Sequence, residues 1–334
     1  YLAQVHFRAG RSNLKGIPKP DLPRIKEVLK EGGHLMIPLI ALVWMLGSGI
    51  PVANTAFYTI LITIAVSWLR KSTRMGLKDI ISALEEGTRQ SLSTIVACGV
   101  VGIIIAVVNL TSFGSTLTAA ITQVGAGSLF LTLFLTMIAS IILGMGLPSI
   151  PAYIITATMA APALAEFGLP ILVAHLFVFY YGIFANITPP VALASFAAAG
   201  LSGGNAMRTS FISVRLAIAG FIVPFLFAYQ PALLMVDTTN VTTNTVEFPM
   251  ASIGSILLVT ITAIVGILGL SAAIEGYFST NLNVVERIIL GAASLGMIIP
   301  ETYSTVIGTV VVTVIFLINF YKNKKESNRV IINV

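Results

Sequence analysis

Residues 144–151 read GMGLPSIP, two glycines and two prolines in eight positions, lodged between the apolar runs 126–146 and 152–167. Proline removes an amide donor and glycine weakens a helix interior, so a helix ends here. The surroundings say which solvent the freed backbone groups meet. Between Arg89 and Arg208 the only formally charged residue is Glu166, a stretch long enough for several crossings of a hydrocarbon core at about 20 helical residues each. In hydrocarbon each unpartnered carbonyl or amide costs several kcal/mol unless something binds it. The tip carries no charge to hold it in water. The arms are therefore predicted to form a re-entrant hairpin, residues 126–167, that enters and leaves by one side and places Gly144–Pro151 near the membrane mid-plane. The alternative is a tight turn between two complete spans.

A second interruption lies in the next apolar run, 171–202, at Asn186-Ile187-Thr188-Pro189-Pro190. Paired prolines break the ladder of helical hydrogen bonds and are expected to leave carbonyls near Phe184, Ala185 and Asn186 without amide partners. The half-helix that follows, from about Val191, presents free amides suited to an anion, while carbonyl oxygens suit a hard cation such as sodium. A hairpin followed by a broken helix is a common way to build a secondary-transporter site; a structural proline kink is the alternative. The candidate ion-binding set is Gly144, Gly146, Pro148, Ala185, Asn186, Thr188 and Val191, through backbone or hydroxyl oxygens. Ser149, Pro189, Pro190 and His175 form the substrate-proximal set. The run ALASFAAAGLSGG at 192–204 is small at most positions, which allows close helix packing.

Composition extends this reading to the whole chain of 334 residues. Hydrophobic residues make up 56% and charged residues 10%, against about 25% charged in an ordinary soluble domain. With a mean hydropathy of +0.96, this is the composition of an all-α integral membrane protein. Further apolar runs occupy roughly 33–47, 54–69, 92–110, 211–229, 251–272, 288–299 and 304–321, with residues 111–125 forming an uncharged loop. Placing 1–32 in the cytoplasm puts all 19 Lys and Arg residues inside, with Glu166, Asp237, Glu247 and Glu301 outside. The polar stretch DTTNVTTNTVE, 237–247, is then an external loop, and the C-terminus is cytoplasmic. The basic clusters flank apolar runs, which argues for juxtamembrane loops and against nucleic acid. The one cysteine, Cys98, allows neither an internal disulfide nor a cysteine metal cluster.

The runs GMGLPSIPAYIITATMAAPALAEFGLP (144–170) and AHLFVFYYGIFANITPPVALASFAAAG (174–200) resemble the large membrane subunit of the tripartite ATP-independent periplasmic (TRAP) transporters. The fused permease of the TAXI-type branch is the most similar form. LKGIP (14–18), HLMIPL (34–39) and ERIILGAASLGMIIPE (286–301) fit it as well. The resemblance implies a sodium-driven elevator of inverted repeats in the bacterial inner membrane, importing small organic acids that a periplasmic binding protein delivers. Sodium would be the coupling ion, with no other cofactor, and lipid the surrounding partner. The family usually has Asp where this chain has Asn186, which removes a negative charge beside the ion site. The chain opens YLAQVHFRAGR, without Met or a signal-peptide pattern, and is read as the second half-site of a longer protein that would not transport alone. The expected organisation is a cytoplasmic linker and surface helix at 1–32 and a helical hairpin with a cytoplasmic loop at 33–91. A transport core follows at 92–230, then C-terminal membrane helices and a cytoplasmic tail at 231–334.

Of three histidines, His6, His34 and His175, only His175 lies within a span, and without a second ligand at helical spacing it holds no metal. Glu166 reads as a cap on the outer end of the hairpin, Arg208 and Arg215 as cytoplasmic anchors, and FVFYYGIF (177–184) as helix packing. There is no HExxH, GxSxG or Walker-type signature, so neither an enzyme nor an ATP-driven pump is indicated. A polytopic enzyme or assembly subunit with purely structural helix breaks is the competing class. It would need clustered intramembrane acids, His or Cys, and residues 90–207 offer only Glu166, His175 and Cys98.

Overall fold

The computed structural model describes residues 1–14, 16, 18, 21–237, 250–298 and 302–332. Lys15, Lys19, most of the loop 237–247 including Asn240 and Glu247, and Glu301 lie outside the described residues. Among the described residues the structure is helical with no β-strand, only two isolated bridges. Ile25–Gly47, Leu77–Thr111, Ala206–Tyr229, Ile253–Glu275 and Tyr303–Lys322 are each long and apolar enough to cross a membrane. Large apolar side chains are exposed along these helices, Ile103 at 68% and Ile264 at 52% among them, as a lipid-facing surface requires. The chain is an all-α, multi-pass membrane protein.

It divides into two compact units, Lys15–Ile95 and Tyr1–Leu14 with Val96–Val334. In order, the helices are α1 (Leu2–Arg11), α2 (Ile25–Gly32), α3 (Ile37–Gly47), α4 (Val52–Ser67) and α5 (Leu77–Thr111). Next come α6 (Phe113–Gly125), α7 (Leu129–Gly144), α8 (Ser149–Met159), α9 (Ala161–Glu166), α10 (Ile171–Phe184) and α11 (Leu193–Ser202). The last are α12 (Ala206–Phe221), α13 (Val223–Tyr229), α14 (Ile253–Glu275), α15 (Val284–Gly296) and α16 (Thr302–Ile332).

In the smaller unit a single 3-10 turn, Gly33–Met36, joins α2 to α3, and Gly49 at φ +78° turns the chain into α4. Thr59 and Thr63 on α4 each donate their hydroxyl to the carbonyl four residues back at 2.7 Å, so neither leaves an unmet polar group facing lipid. His34 Nε2 lies 2.9 Å from Thr73 Oγ1, which accounts for that histidine within the scaffold.

In the larger unit the loop expected at 111–125 is a helix, α6. Thr116 and Thr122 bond the carbonyls of Ser112 and Thr118 and so satisfy themselves in helical geometry. Thr118, Ile121 and Gly125 recur at helical spacing and are buried, with Gly125 pressed against Thr132 of α7. A core of Leu133, Leu164, Val173, Phe177, Val178, Tyr181, Phe225 and Phe227 then joins α7, α9 and α10 to α13. Within it the Tyr181 hydroxyl donates to the Phe221 carbonyl, so FVFYYGIF is packing, as its composition suggests. Small residues bring α14, α15 and α16 together: a Cβ on Gly308 would sit 2.5 Å from Met297 Cγ. α1 packs on α12 and α14, burying Gln4 and Phe7.

Candidate functional site

Both interruptions are breaks in the helical ladder. α7 stops at Gly144, Met145 leaves helical geometry at ψ 127°, Gly146 takes φ +76°, and Pro148 leads into α8 at Ser149. Gly146 must be glycine-like because side-chain-bearing residues rarely adopt that φ. α10 likewise stops at Phe184, and α11 starts at Leu193, two residues later than proline position alone implies. Ala192 at φ +36° re-aims the chain as α11 begins.

The two breaks are neighbours. A Cβ on Gly144 would lie 2.7 Å from the Gly182 carbonyl oxygen and 2.8 Å from Gly182 Cα, so α7 and α10 touch backbone to backbone. The position a Cβ would take on Gly182 faces α8, 3.5 Å from Thr156 Oγ1 and 3.7 Å from the Ala152 carbonyl oxygen. Gly144, Ala152 and Gly182 are buried, and only residues this small let three helices meet at one point. Just beyond, the Cβ position of Gly146 lies 3.5 Å from Val191 Cγ1, which sets the tip of the first break against the second.

Accounting for the backbone shows what the breaks leave over. The carbonyls expected to be free are used: Phe184 accepts from the Ile187 amide at 3.0 Å and the Thr188 hydroxyl at 2.8 Å, Ala185 from Thr188 at 3.2 Å, and Asn186 from Ala194 at 3.0 Å. Tight turns fold the chain back on Phe184 and Ala185, and α11 returns to Asn186 through Ala194, a closure that proline position alone does not reveal. In the tip the carbonyls of Met145, Gly146 and Leu147, and in the break those of Ile187, Pro189, Pro190 and Val191, accept no hydrogen bond from the described residues; beside them, at the ends of α7 and α10, those of Leu143 and Gly182 accept none either. The amides of Val191, Leu193 and Ser195 likewise have no backbone acceptor among the described residues. The break thus has both surplus acceptors and surplus donors.

The predicted residues fall into three groups. Gly144, Gly146 and Val191 line the junction, while Pro148 and Ser149 open α8 immediately after the tip. Ala185, Asn186, Thr188, Pro189 and Pro190 form the break, and the Thr188 hydroxyl keeps lone pairs after donating to Phe184. His175 stands apart: it lies in the second turn of α10, about 10 Å along the axis from Gly182. Its Nδ1 is 2.9 Å from the Tyr153 hydroxyl, the arrangement of a satisfied helix-packing histidine. Sequence reasoning took the small residues after the break as packing alone and missed Ser195, buried in the first turn of α11 with a hydroxyl that has no partner. A hydroxyl just after a helix break, on the face that small residues bury, is the signal that would have found it.

Residues 1–242 match the model of the tripartite ATP-independent periplasmic transporter DctM component. The chain belongs to the DctM family. It is therefore a membrane permease component of a TRAP transporter, and both breaks lie within the matched DctM region. No curated protein and no solved structure matches the chain.

The other polar cluster of this DctM chain is remote in sequence from the breaks and rich in charge. Glu275, the last residue of α14, is fully buried, with Oε2 3.5 Å from Arg8 Nη1 and 3.7 Å from Arg215 Nη2. Arg11 donates to the Glu275 carbonyl, and Arg287 Nε and Nη2 bond the carbonyls of Ala273 and Ile274 at 2.9 and 3.1 Å. Gln4 Nε2 donates to the Arg215 carbonyl at 2.8 Å. Sequence reading took Arg215 for an anchor and did not single out Glu275. Beside them Glu286 caps α15 reciprocally with Asn283 and also accepts from Lys322.

Proposed function

We propose that this chain carries small organic acids inward together with sodium, receiving them from a periplasmic binding protein, in the manner of the TAXI-type branch of its family. The observation that carries the reading is the junction of the two breaks, where seven carbonyl oxygens without hydrogen bonds belong to adjoining tip and break segments. A hard cation is bound by oxygen dipoles, and the hydroxyls of Thr188 and Ser195 add to them. The amides of Val191, Leu193 and Ser195 would meet a carboxylate at the start of α11. In this reading the helices α7 to α9 form a re-entrant hairpin, and the ion lies between its tip and the break.

The protein would sit in the bacterial inner membrane with its C-terminus in the cytoplasm. Support comes from Arg8, Arg11, Arg215 and Arg287, four cations from three separate stretches of chain that the charge rule puts inside and that cluster at one end of α14. The test is sodium binding by the purified chain, followed as a rise in melting temperature. Sodium should raise it, while potassium and choline at equal ionic strength should not. Equal responses to all three cations would remove the ion site from the proposal. Uptake of a radiolabelled organic acid into vesicles that hold the assembled transporter, driven by a sodium gradient and dependent on an added binding protein, would test the rest; the chain reconstituted alone should show none.

A further inference from the structure

We infer that the arginine cluster at the end of α14 is a binding site for an anionic phospholipid, with the phosphate headgroup on the guanidinium groups and an acyl chain in the groove between α14 and α15. Arg8 and Arg215 pair with the one carboxylate there, Glu275, while Arg11 and Arg287 bind the last carbonyls of α14, so four guanidinium groups meet a single acid at this end of the helix. The neighbouring pair Glu286–Lys322 is already neutral and cancels none of the surplus. Arg11 and Arg287 spend hydrogen bonds on the last carbonyls of α14, which offsets part of their charge against the negative end of the helix dipole, worth about half an elementary charge. Most of the positive excess remains. Arg11 is exposed, and the side chains of Arg8 and Arg215 are 37% and 45% exposed, so an anion reaches them without unfolding anything.

The position and the adjoining surface select the anion. α14 is a 23-residue apolar helix, about the length that spans a bilayer, so its end lies where lipid phosphates lie. Arg287 also stands at one end of a groove of about 280 Å³ walled by Leu270, Ile274, Val284, Ile288 and Gly291. That wall is apolar and offers a water-soluble anion nothing, but it fits a hydrocarbon chain whose headgroup is held by Arg287. Among the described residues Arg287 Nη1 has no partner and no carboxylate lies within 4 Å of the group, so one donor stays available to a phosphate oxygen. Basic pockets between membrane helices recognise anionic headgroups in this way.

The full chain, purified in neutral detergent, would be titrated with phosphatidylglycerol, phosphatidylcholine, or inorganic phosphate at matched ionic strength. Bound lipid would be counted by native mass spectrometry and the melting temperature followed in parallel. Phosphatidylglycerol should bind more tightly than phosphatidylcholine by about five-fold for each guanidinium engaged. Inorganic phosphate should neither stabilise the protein nor displace the lipid. Arg287→Gln should lower the preference about five-fold. Because that change also uncaps α14, Gly291→Leu gives a second reading: it fills the groove, where a Cβ already meets only Ala273 Cβ at 3.7 Å, and keeps every arginine. It should reduce lipid retention with little loss of melting temperature in detergent alone. Arg89→Gln, on exposed α5, should leave lipid binding unchanged. Equal binding of the two lipids, or full stabilisation by inorganic phosphate, would overturn the inference.

Discussion

The junction of the two breaks and the end of α14 meet the same difficulty, polar groups away from water, by opposite means. The junction has no formal charge and works with backbone oxygens that no amide uses. The end of α14 uses full charges, one buried carboxylate among four guanidinium groups. Dipoles hold a cation weakly enough for it to leave again, whereas a fully buried carboxylate holds its arginine partners in place. A site that must load and unload is therefore built from carbonyls, and a joint between α1, α12 and α14 from Arg and Glu.

The sharpest way to break the comparison is to remove the room on which the junction depends. Gly144→Leu puts a side chain into the Gly182 backbone, which has no rotamer by which to yield. The cost should be at least the 1–3 kcal/mol typical of overpacking, read as a fall of several degrees in melting temperature or as loss of folded protein. Gly127→Ala, at a turn with open space around it, should cost less despite its positive φ. A Gly144→Leu protein as stable as the parent would mean that α7 and α10 are not in backbone contact.

At the charged joint, Glu275→Gln leaves Arg8 and Arg215 without their carboxylate. A fully buried pair broken in this way costs about 3–5 kcal/mol, but both arginines reach solvent, so about 1–2 kcal/mol is expected. Arg8→Gln and Arg215→Gln should each cost less, because Glu275 keeps one partner, and the double change should exceed their sum. Chemical denaturation of the set measures this. Simple additivity would mean that the two arginines do not share the carboxylate.

Returning to the junction, a smaller and functional effect is expected from Asn186→Asp and Thr188→Val. The aspartate adds a negative charge beside the oxygens and should lower the sodium concentration for half-maximal stabilisation. Thr188→Val removes a hydroxyl and its 2.8 Å bond to Phe184, worth about 1 kcal/mol, and should raise that concentration about five-fold. No change in sodium response with either variant would move the ion elsewhere.

The smallest effect concerns pH. A hydrogen bond from Lys322 holds the Glu286 carboxylate below its usual range, helped by the Asn283 amide and opposed by partial burial. Its folded-state pKa is lowered, so its contribution to stability is present at neutral pH and is lost as the pH falls below the ordinary carboxylate range and through that lowered value. Lys322→Gln should flatten the acid limb of melting temperature against pH. An unchanged limb would show that other carboxylates govern it.

The breaks were legible in the sequence because glycine and proline act on their own stretch of chain. GMGLPSIP and NITPP announce where helices stop, and the structure stops α7 and α10 there. Which carbonyls stay free was less legible, since turns at 184–188 consume the oxygens of Phe184 and Ala185, Ala194 takes that of Asn186, and those of Ile187, Pro189, Pro190 and Val191 are left. α6 was hidden because serine and threonine read as loop residues, although inside a helix they bond their own backbone. The charged joint was least legible. Arg8 and Glu275 are separated by 267 positions, and neither the apolar run before Glu275 nor the helix around Arg8 betrays the other.

The backbone contact between Gly144 and Gly182 has a mechanical consequence. Side chains can slide and re-choose rotamers, but two backbones in contact behave as a weld, so the ends of α7 and α10 travel as one stiff piece. Any parting of the two breaks must then happen on the compliant side, where Gly146 meets only a methyl of Val191. Motion is thereby channelled to the residues that carry the unbonded oxygens, and the weld behind them acts as the fulcrum.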